Sequence, residues 1–302
     1  MSSNTHTNDV VEHLIRWADQ QDLVRAVVLT SSRAIPNAPV DLFSDYDVIL
    51  SLRAIEPFHV DRSWLEVFGP VLAVYRDPLI DEDGLVRSAY VVQYENGMKI
   101  DFSLWPVELL KRIVNNERLT TEFDAGYKVL VDKDQVTTNL TPPTYLGYIP
   151  TPPTEAHYLE LLEGFFLDTT YVAKFLWRDD MMAAKHILDH SLKLEHLRPM
   201  LEWHVEIGQQ WSIKFGPYGR RLKRHLRSDL WTELESTYTG AELEANWDAL
   251  FRSIGLMRRV ATEVGEQLGF TYPHELEQRV VRYLQKVRQL DRNATKTGTL
   301  PG

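Results

Sequence analysis

Residues 24–52 read VRAVVLTSSRAIPNAPVDLFSDYDVILSL, two apolar runs joined by a polar, proline-containing connection. The first run, Val24 to Leu29, has the β-branched character of a strand and ends in Thr30, Ser31, Ser32 and Arg33. The second opens on Ser44-Asp45-Tyr46-Asp47 and continues as Val48-Ile49-Leu50. Side chains alternate faces along a strand, so Asp45 and Asp47 project from one face and Tyr46 from the other. Two carboxylates aimed at one point repel each other. A divalent cation removes that conflict, and Mg²⁺ favours carboxylate oxygens together with substrate phosphates.

Working outward, strands are expected at Val71 to Tyr75, Leu85 to Tyr94, Met98 to Trp105 and Lys128 to Val131, with helices at Asp9 to Gln20 and Pro106 to Ile113. Asn96-Gly97 predicts a tight primed hairpin turn between Leu85–Tyr94 and Met98–Trp105, with positive φ at both central residues. On the second arm Ile100, Phe102 and Leu104 face a core, which turns Asp101 to the opposite side. If this strand neighbours the one carrying Asp47, three carboxylates meet. Phosphoryl and nucleotidyl transfer need such a set, because charge spreads over the phosphate oxygens and two metals can clamp the attacking and leaving oxygens. Ser32 and the backbone amides at the strand end suit terminal phosphates, and Arg33 suits their charge. An Asp-x-Asp pair alone is common in loops and edge strands; the ordered set carries the inference.

A chain of 302 residues exceeds the usual single-domain size. Residues 1–138 read as a mixed sheet with helices, and 139–154 as a Pro/Thr-rich linker in which paired prolines prevent helix and ladder alike. From 155 to 290 the apolar spacing turns helical, as in Tyr158, Leu162, Phe165, Phe166, Val172, Ala173 and Leu176. Further helical stretches run over 181–196, 200–210, 219–235, 241–268 and 274–289, and 291–302 reads as a disordered tail.

The net charge is −10, and residues 1–150 carry 13 Lys and Arg against 22 Asp and Glu. Nucleic-acid backbones require basic surface, so this balance excludes a nucleic-acid enzyme and favours a cationic substrate. There is no cysteine, which removes disulfides and thiolate chemistry. No stretch approaches a membrane span, and the chain reads as a cytoplasmic monomer acting on small molecules.

The segments LTSSRA, SDYDVIL and KIDFSLWP resemble the motifs of the aminoglycoside 6-adenylyltransferase (streptomycin adenylyltransferase) family. The resemblance continues through FFLDTTYVAKFLWRDD, Asp229-Leu230-Trp231, STYTG and Asn246 to Phe251, covering roughly residues 8–288. It implies an α+β fold, a polymerase-β-like nucleotidyltransferase domain followed by an α-helical bundle that binds substrate, with the active site in the cleft between them. It also implies ATP as co-substrate, Mg²⁺ as cofactor, and transfer of AMP to an aminoglycoside hydroxyl, the 6-hydroxyl of streptomycin, with release of pyrophosphate. Residue by residue, Ser32 and Arg33 match the phosphate-binding turn, Asp45 and Asp47 the metal carboxylates, and Asp101 the third carboxylate, as ligand, general base or both. Lys174 matches a family lysine able to reach the triphosphate. Family members usually place glycine where this chain has Ser31; glycine lets backbone approach phosphate closely and adopt positive φ, so Ser31 bears on nucleotide affinity or turn geometry, or instead adds a hydroxyl donor with activity retained. Another small-molecule or protein hydroxyl as acceptor, and a nucleotide-binding regulator with a decayed site, stand as alternatives.

In the helical half, Trp177, Asp179 and Asp180 offer acid and an aromatic wall to cationic groups, against the plainer reading of core packing and helix-end acids. Trp203, Glu206 and Trp211 invite the same two readings. His186 and His190 have the spacing of a zinc pair, but Ile187 stands where a metalloprotease needs glutamate, and no zinc is assigned.

Overall fold

The apolar runs of the first half become a seven-stranded sheet: β1 (Val24–Thr30), β2 (Tyr46–Leu52), β3 (Val71–Arg76), β4 (Ile80–Glu82), β5 (Leu85–Tyr94), β6 (Lys99–Pro106) and β7 (Tyr127–Asp132). These come from a computed structural model that describes residues 3–36, 38 and 40–291; all but the first residue of the tail expected at 291–302 lies outside them. The chain divides into two compact units, Met1–Tyr148 and Ile149–Gly302. The strand order in the first is β3-β5-β6-β2-β1-β7, with β4 added beside β5. Only β2 and β6 pair in parallel; the other pairings are antiparallel.

Alternation along the strands divides their side chains between two layers. On one face Val27, Leu29, Val48, Leu50, Ile100, Phe102 and Leu104 pack against α1 (Ser3–Asp19), α2 (Glu56–Val60) and a 3₁₀ turn, Ser63–Phe68. Aromatic rings fill this layer: Phe102 meets Trp64 edge-on at 4.9 Å, and Trp64 stacks on Trp17 at 5.4 Å. On the other face Ala26, Val28, Ile49 and Trp105 pack against α3 (Val107–Val114) and Phe123 of α4 (Thr121–Asp124). That second layer stops short of Asp47 and Asp101, which stay only half-buried at its edge.

The hairpin turn differs from expectation. Tyr94 and Met98 close a three-residue loop, Glu95-Asn96-Gly97, in which the Gly97 amide donates to the Tyr94 carbonyl at 3.0 Å. Gly97 alone has positive φ (87°). Asn96 instead accepts the Met98 amide on its side chain at 3.0 Å, so it stabilises the loop without entering the left-handed region.

The second unit is helical: α5 (Glu155–Arg178), α6 (Met181–Lys185), α7 (Arg198–Gly208), α8 (Leu222–His225), α9 (Ser228–Ser236), α10 (Leu243–Leu268) and α11 (His274–Gln289). Thr154 caps α5 by accepting the His157 amide at 3.2 Å. Gly265 of α10 leaves room for α5: a Cβ there would stand 3.1 Å from the Tyr158 hydroxyl, and 2.9 Å from the Phe270 carbonyl just beyond α10. Tyr158 bonds the Ala261 carbonyl at 2.8 Å.

Two expected helices are altered. Between α6 and α7, His186–Leu197 winds as a wider π-helix, matching the four- and five-residue spacing of its buried Leu188, Leu192 and Leu197. Its buried Lys193 bonds Asp189 and lies 4.2 Å over the Tyr238 ring. The stretch read as one helix over 219–235 breaks into α8 and α9, because Leu226 and Arg227 are extended; Arg227 there pairs with Asp229 and Glu263. Among the described residues no helix is long and apolar enough to cross a membrane.

Candidate active site

The parallel register of β2 on β6 decides which charges meet. Asp47 lies directly opposite Asp101 and Tyr46 opposite Ile100. Asp45, one residue before β2, therefore falls beside Lys99, one residue before Ile100. The Lys99 ammonium sits 2.9 Å from Asp45 Oδ2 and 2.7 Å from each oxygen of Asp101. Asp45, Asp47 and Asp101, expected to converge, thus share one small region with a lysine that sequence reading passed over. Alternation places Lys99 on the face of Asp101, two residues on; its contact with Asp45 depends on register and is not legible locally.

Burial, with the charges of Asp101 and Asp45 added, pushes the Asp47 carboxyl up from its ordinary 3.8 to about 6, while a hydrogen bond from the Ser31 hydroxyl and the Lys99 charge pull the other way. Asp101 also moves up through burial, opposed by its hydrogen bond from Lys99. Burial works against the Lys99 charge, but its bonds to Asp101 and Asp45 outweigh that, and its pKa lies above the ordinary value.

No group of three or more His, Asp or Glu side chains stands ready to hold a metal ion among the described residues, and Lys99 is the cation that Asp45 and Asp101 share. The donor set nonetheless fits Mg²⁺: oxygens only, from three aspartates, two of them opposed across one strand pair, with burial and the neighbouring carboxylates disfavouring the charge of Asp47.

Ser31 opens a 3₁₀ turn, Ser31–Arg33, at the end of β1, and its φ is +58°. The position therefore needs the left-handed conformation for which glycine is the ordinary choice; this chain accepts the strain and gains a hydroxyl on Asp47. Comparing Ser31→Gly with Ser31→Ala isolates the backbone, since both remove the hydroxyl. The glycine variant is expected to be the more stable by about 1 kcal/mol in urea unfolding. Equal stabilities would show that the turn is unstrained.

The Arg33 guanidinium is engaged with the segment that leads into β2. Its Nε donates to the carbonyls of Ser44 (3.2 Å) and Asp45 (3.1 Å), its Nη2 donates to Ser44 (2.7 Å), and its plane stacks 3.9 Å over Tyr46. It fastens the chain immediately before β2. Asp41 completes that approach, accepting the Phe43 amide at 2.9 Å. Ser32 is half-buried in the same turn as Ser31. Beside it, the Thr30 hydroxyl bonds Glu122 of α4, whose carboxyl burial pushes up. Glu122 follows a turn, with no motif around it to mark it in the sequence.

In the second unit, Lys174 lies on α5 with its ammonium 4.1 Å over the Tyr171 ring. Trp177 packs on the helical core and donates to the Leu290 carbonyl at 3.3 Å. Asp179 ends α5 in the left-handed region (φ 63°), and Asp180 precedes α6; their amides return to Leu176 and Phe175. Both acids are exposed at that turn. Glu206 is fully buried and accepts the Ile213 amide at 3.1 Å, so it closes a loop. His186 and His190 stack face to face at 5.5 Å.

The sequence profile of the family described as streptomycin adenylyltransferase matches residues 5–287. An aminoglycoside 6-adenylyltransferase of Bacillus subtilis (strain 168) is 28% identical over 92% of this chain and 96% of its own length. One from Campylobacter jejuni is 28% identical over 88% and 90% respectively. The crystal structure of an aminoglycoside 6-adenyltransferase from Bacillus subtilis aligns over 93% of this chain and 98% of its own, at 24% identity and a TM-score of 0.44.

Proposed function

The chain belongs to the streptomycin adenylyltransferase family and is a nucleotidyltransferase, and from this premise we propose that it transfers AMP from ATP to an aminoglycoside hydroxyl. The acceptor we assign is the 6-hydroxyl of streptomycin, with Mg²⁺ required and pyrophosphate released. The observation that carries the reading is the parallel register that sets Asp47 against Asp101 with Asp45 alongside. The acidic balance of residues 1–150 favours the cationic acceptor.

Asp45, Asp47 and Asp101 would hold the metal, which when bound supplies charge neutralisation on the phosphate oxygens. The turn at Ser31, Ser32 and Arg33 receives the terminal phosphates, Arg33 by keeping the turn fastened to the Asp45 segment. Lys174 adds a cation for the triphosphate. Asp101 takes the proton of the attacking hydroxyl, acting mainly through its position. Trp177, Asp179 and Asp180 are assigned to the cationic acceptor.

Mass spectrometry after incubation with ATP, Mg²⁺ and a panel of aminoglycosides and aminocyclitols tests the acceptor. Streptomycin should gain one AMP, and fragmentation should place it on the 6-hydroxyl. An adduct confined to another compound would reassign the substrate.

A further inference from the structure

Lys99 lies between Asp45 and Asp101, and the reading above gives it no role. Its position is determined twice over: strand alternation sets it beside Asp101, and the parallel register sets it beside Asp45. It is about a quarter exposed, and three carboxylate oxygens stand within 2.9 Å of its ammonium. Asp47, the remaining carboxylate, takes its hydrogen bond from Ser31. One resident positive charge therefore already neutralises two of the three groups that a divalent cation would need.

We infer that Lys99 is a resident counter-cation that competes with the divalent metal for Asp45 and Asp101, so that tight metal binding requires the nucleotide to arrive with it. The inference rests on the reading of these aspartates as metal ligands. An ammonium on a flexible four-carbon stem can withdraw from two carboxylates, but doing so costs its three charge-assisted contacts with them. Triphosphate oxygens repay that cost by adding donors for the metal and a new anionic partner for the ammonium. With metal alone, nothing repays it. The arrangement holds the aspartates together between turnovers while discouraging occupancy by a metal that lacks its nucleotide.

The test measures Mn²⁺ binding by calorimetry on the full chain, without nucleotide, for wild type, Lys99→Met and Lys99→Gln. Lys99→Gln removes the charge while keeping a hydrogen-bond donor, and so serves if the methionine variant fails to fold. Removing the competitor should tighten Mn²⁺ binding about tenfold or more and enlarge the Mn²⁺-induced rise in melting temperature. The further gain from a non-hydrolysable ATP analogue should shrink in both variants. Unchanged or weaker Mn²⁺ binding in the variants, with wild type binding Mn²⁺ in the presence of the analogue, overturns the inference alone. No Mn²⁺ binding by any of the proteins, even with the analogue, overturns the metal reading and this inference together.

Discussion

Asp47→Asn is expected to lower AMP transfer by about a thousandfold or more and, in metal-free buffer at pH 7, to raise the stability of the protein. The two effects come from one cause. Asp47 is held where burial and two neighbouring carboxylates penalise its charge, and its pKa of about 6 in the folded chain, against 3.8 ordinarily, measures that penalty. A shift of this size corresponds to about 3 kcal/mol at most; for a partly exposed side chain about 1–2 kcal/mol is the appropriate expectation. Asparagine keeps the shape and removes the charge, so it relieves the penalty and loses the metal affinity together. The sign with pH follows. The folded chain holds the Asp47 proton more tightly than the unfolded chain, so this group's contribution is most favourable below about pH 4. It is lost as pH rises through about 6, and the wild-type deficit relative to Asp47→Asn should vanish on acidification over that range. Urea titrations of both proteins from pH 4 to 7 give the comparison. A variant less stable than wild type at pH 7 would mean that the carboxylate is a structural support.

Arg33→Ala is expected to reduce kcat about a hundredfold, with Arg33→Lys recovering little. The guanidinium fixes the Ser44 and Asp45 carbonyls through three hydrogen bonds and stacks on Tyr46, so its loss frees the backbone that aims Asp45. Displacements near an ångström cost rate on this scale, and an ammonium reproduces neither the planar fork nor the stacking. Amide hydrogen exchange over 41–46 should accelerate in Arg33→Ala without any nucleotide present. If Arg33 acted on phosphate alone, exchange would be unchanged and the loss would fall mainly on the KM for ATP.

The two unlike halves of the chain were legible because each obeys one period: alternation places Ile100, Phe102 and Leu104 inside and Asp101 outside, and three-four spacing marks α5. Faces follow from alternation, but register does not. The sequence admits several slides of β6 along β2, and only one puts Asp47 against Asp101 and Asp45 against Lys99. Ser31 in place of the usual glycine raised the question of turn geometry, and its left-handed φ shows that serine takes the conformation glycine would; the bond to Asp47 needed the neighbouring strand in place. The Asn96-Gly97 signal located the turn but pointed to a two-residue primed form; the three-residue loop that forms needs positive φ at the glycine alone, and Asn96 serves it as a side-chain acceptor instead. The π-helical stretch escaped because widened turns have no separate propensity, and Glu122 because its approach to Thr30 is tertiary.

The central claim is nucleotidyl transfer at the α-phosphorus, and product stoichiometry with ATP, Mg²⁺ and streptomycin tests it most directly. The account predicts one pyrophosphate for each AMP joined to the acceptor, neither accumulating in Asp47→Asn. Formation of ADP with a phosphorylated acceptor, or of pyrophosphate with no AMP adduct, would contradict it.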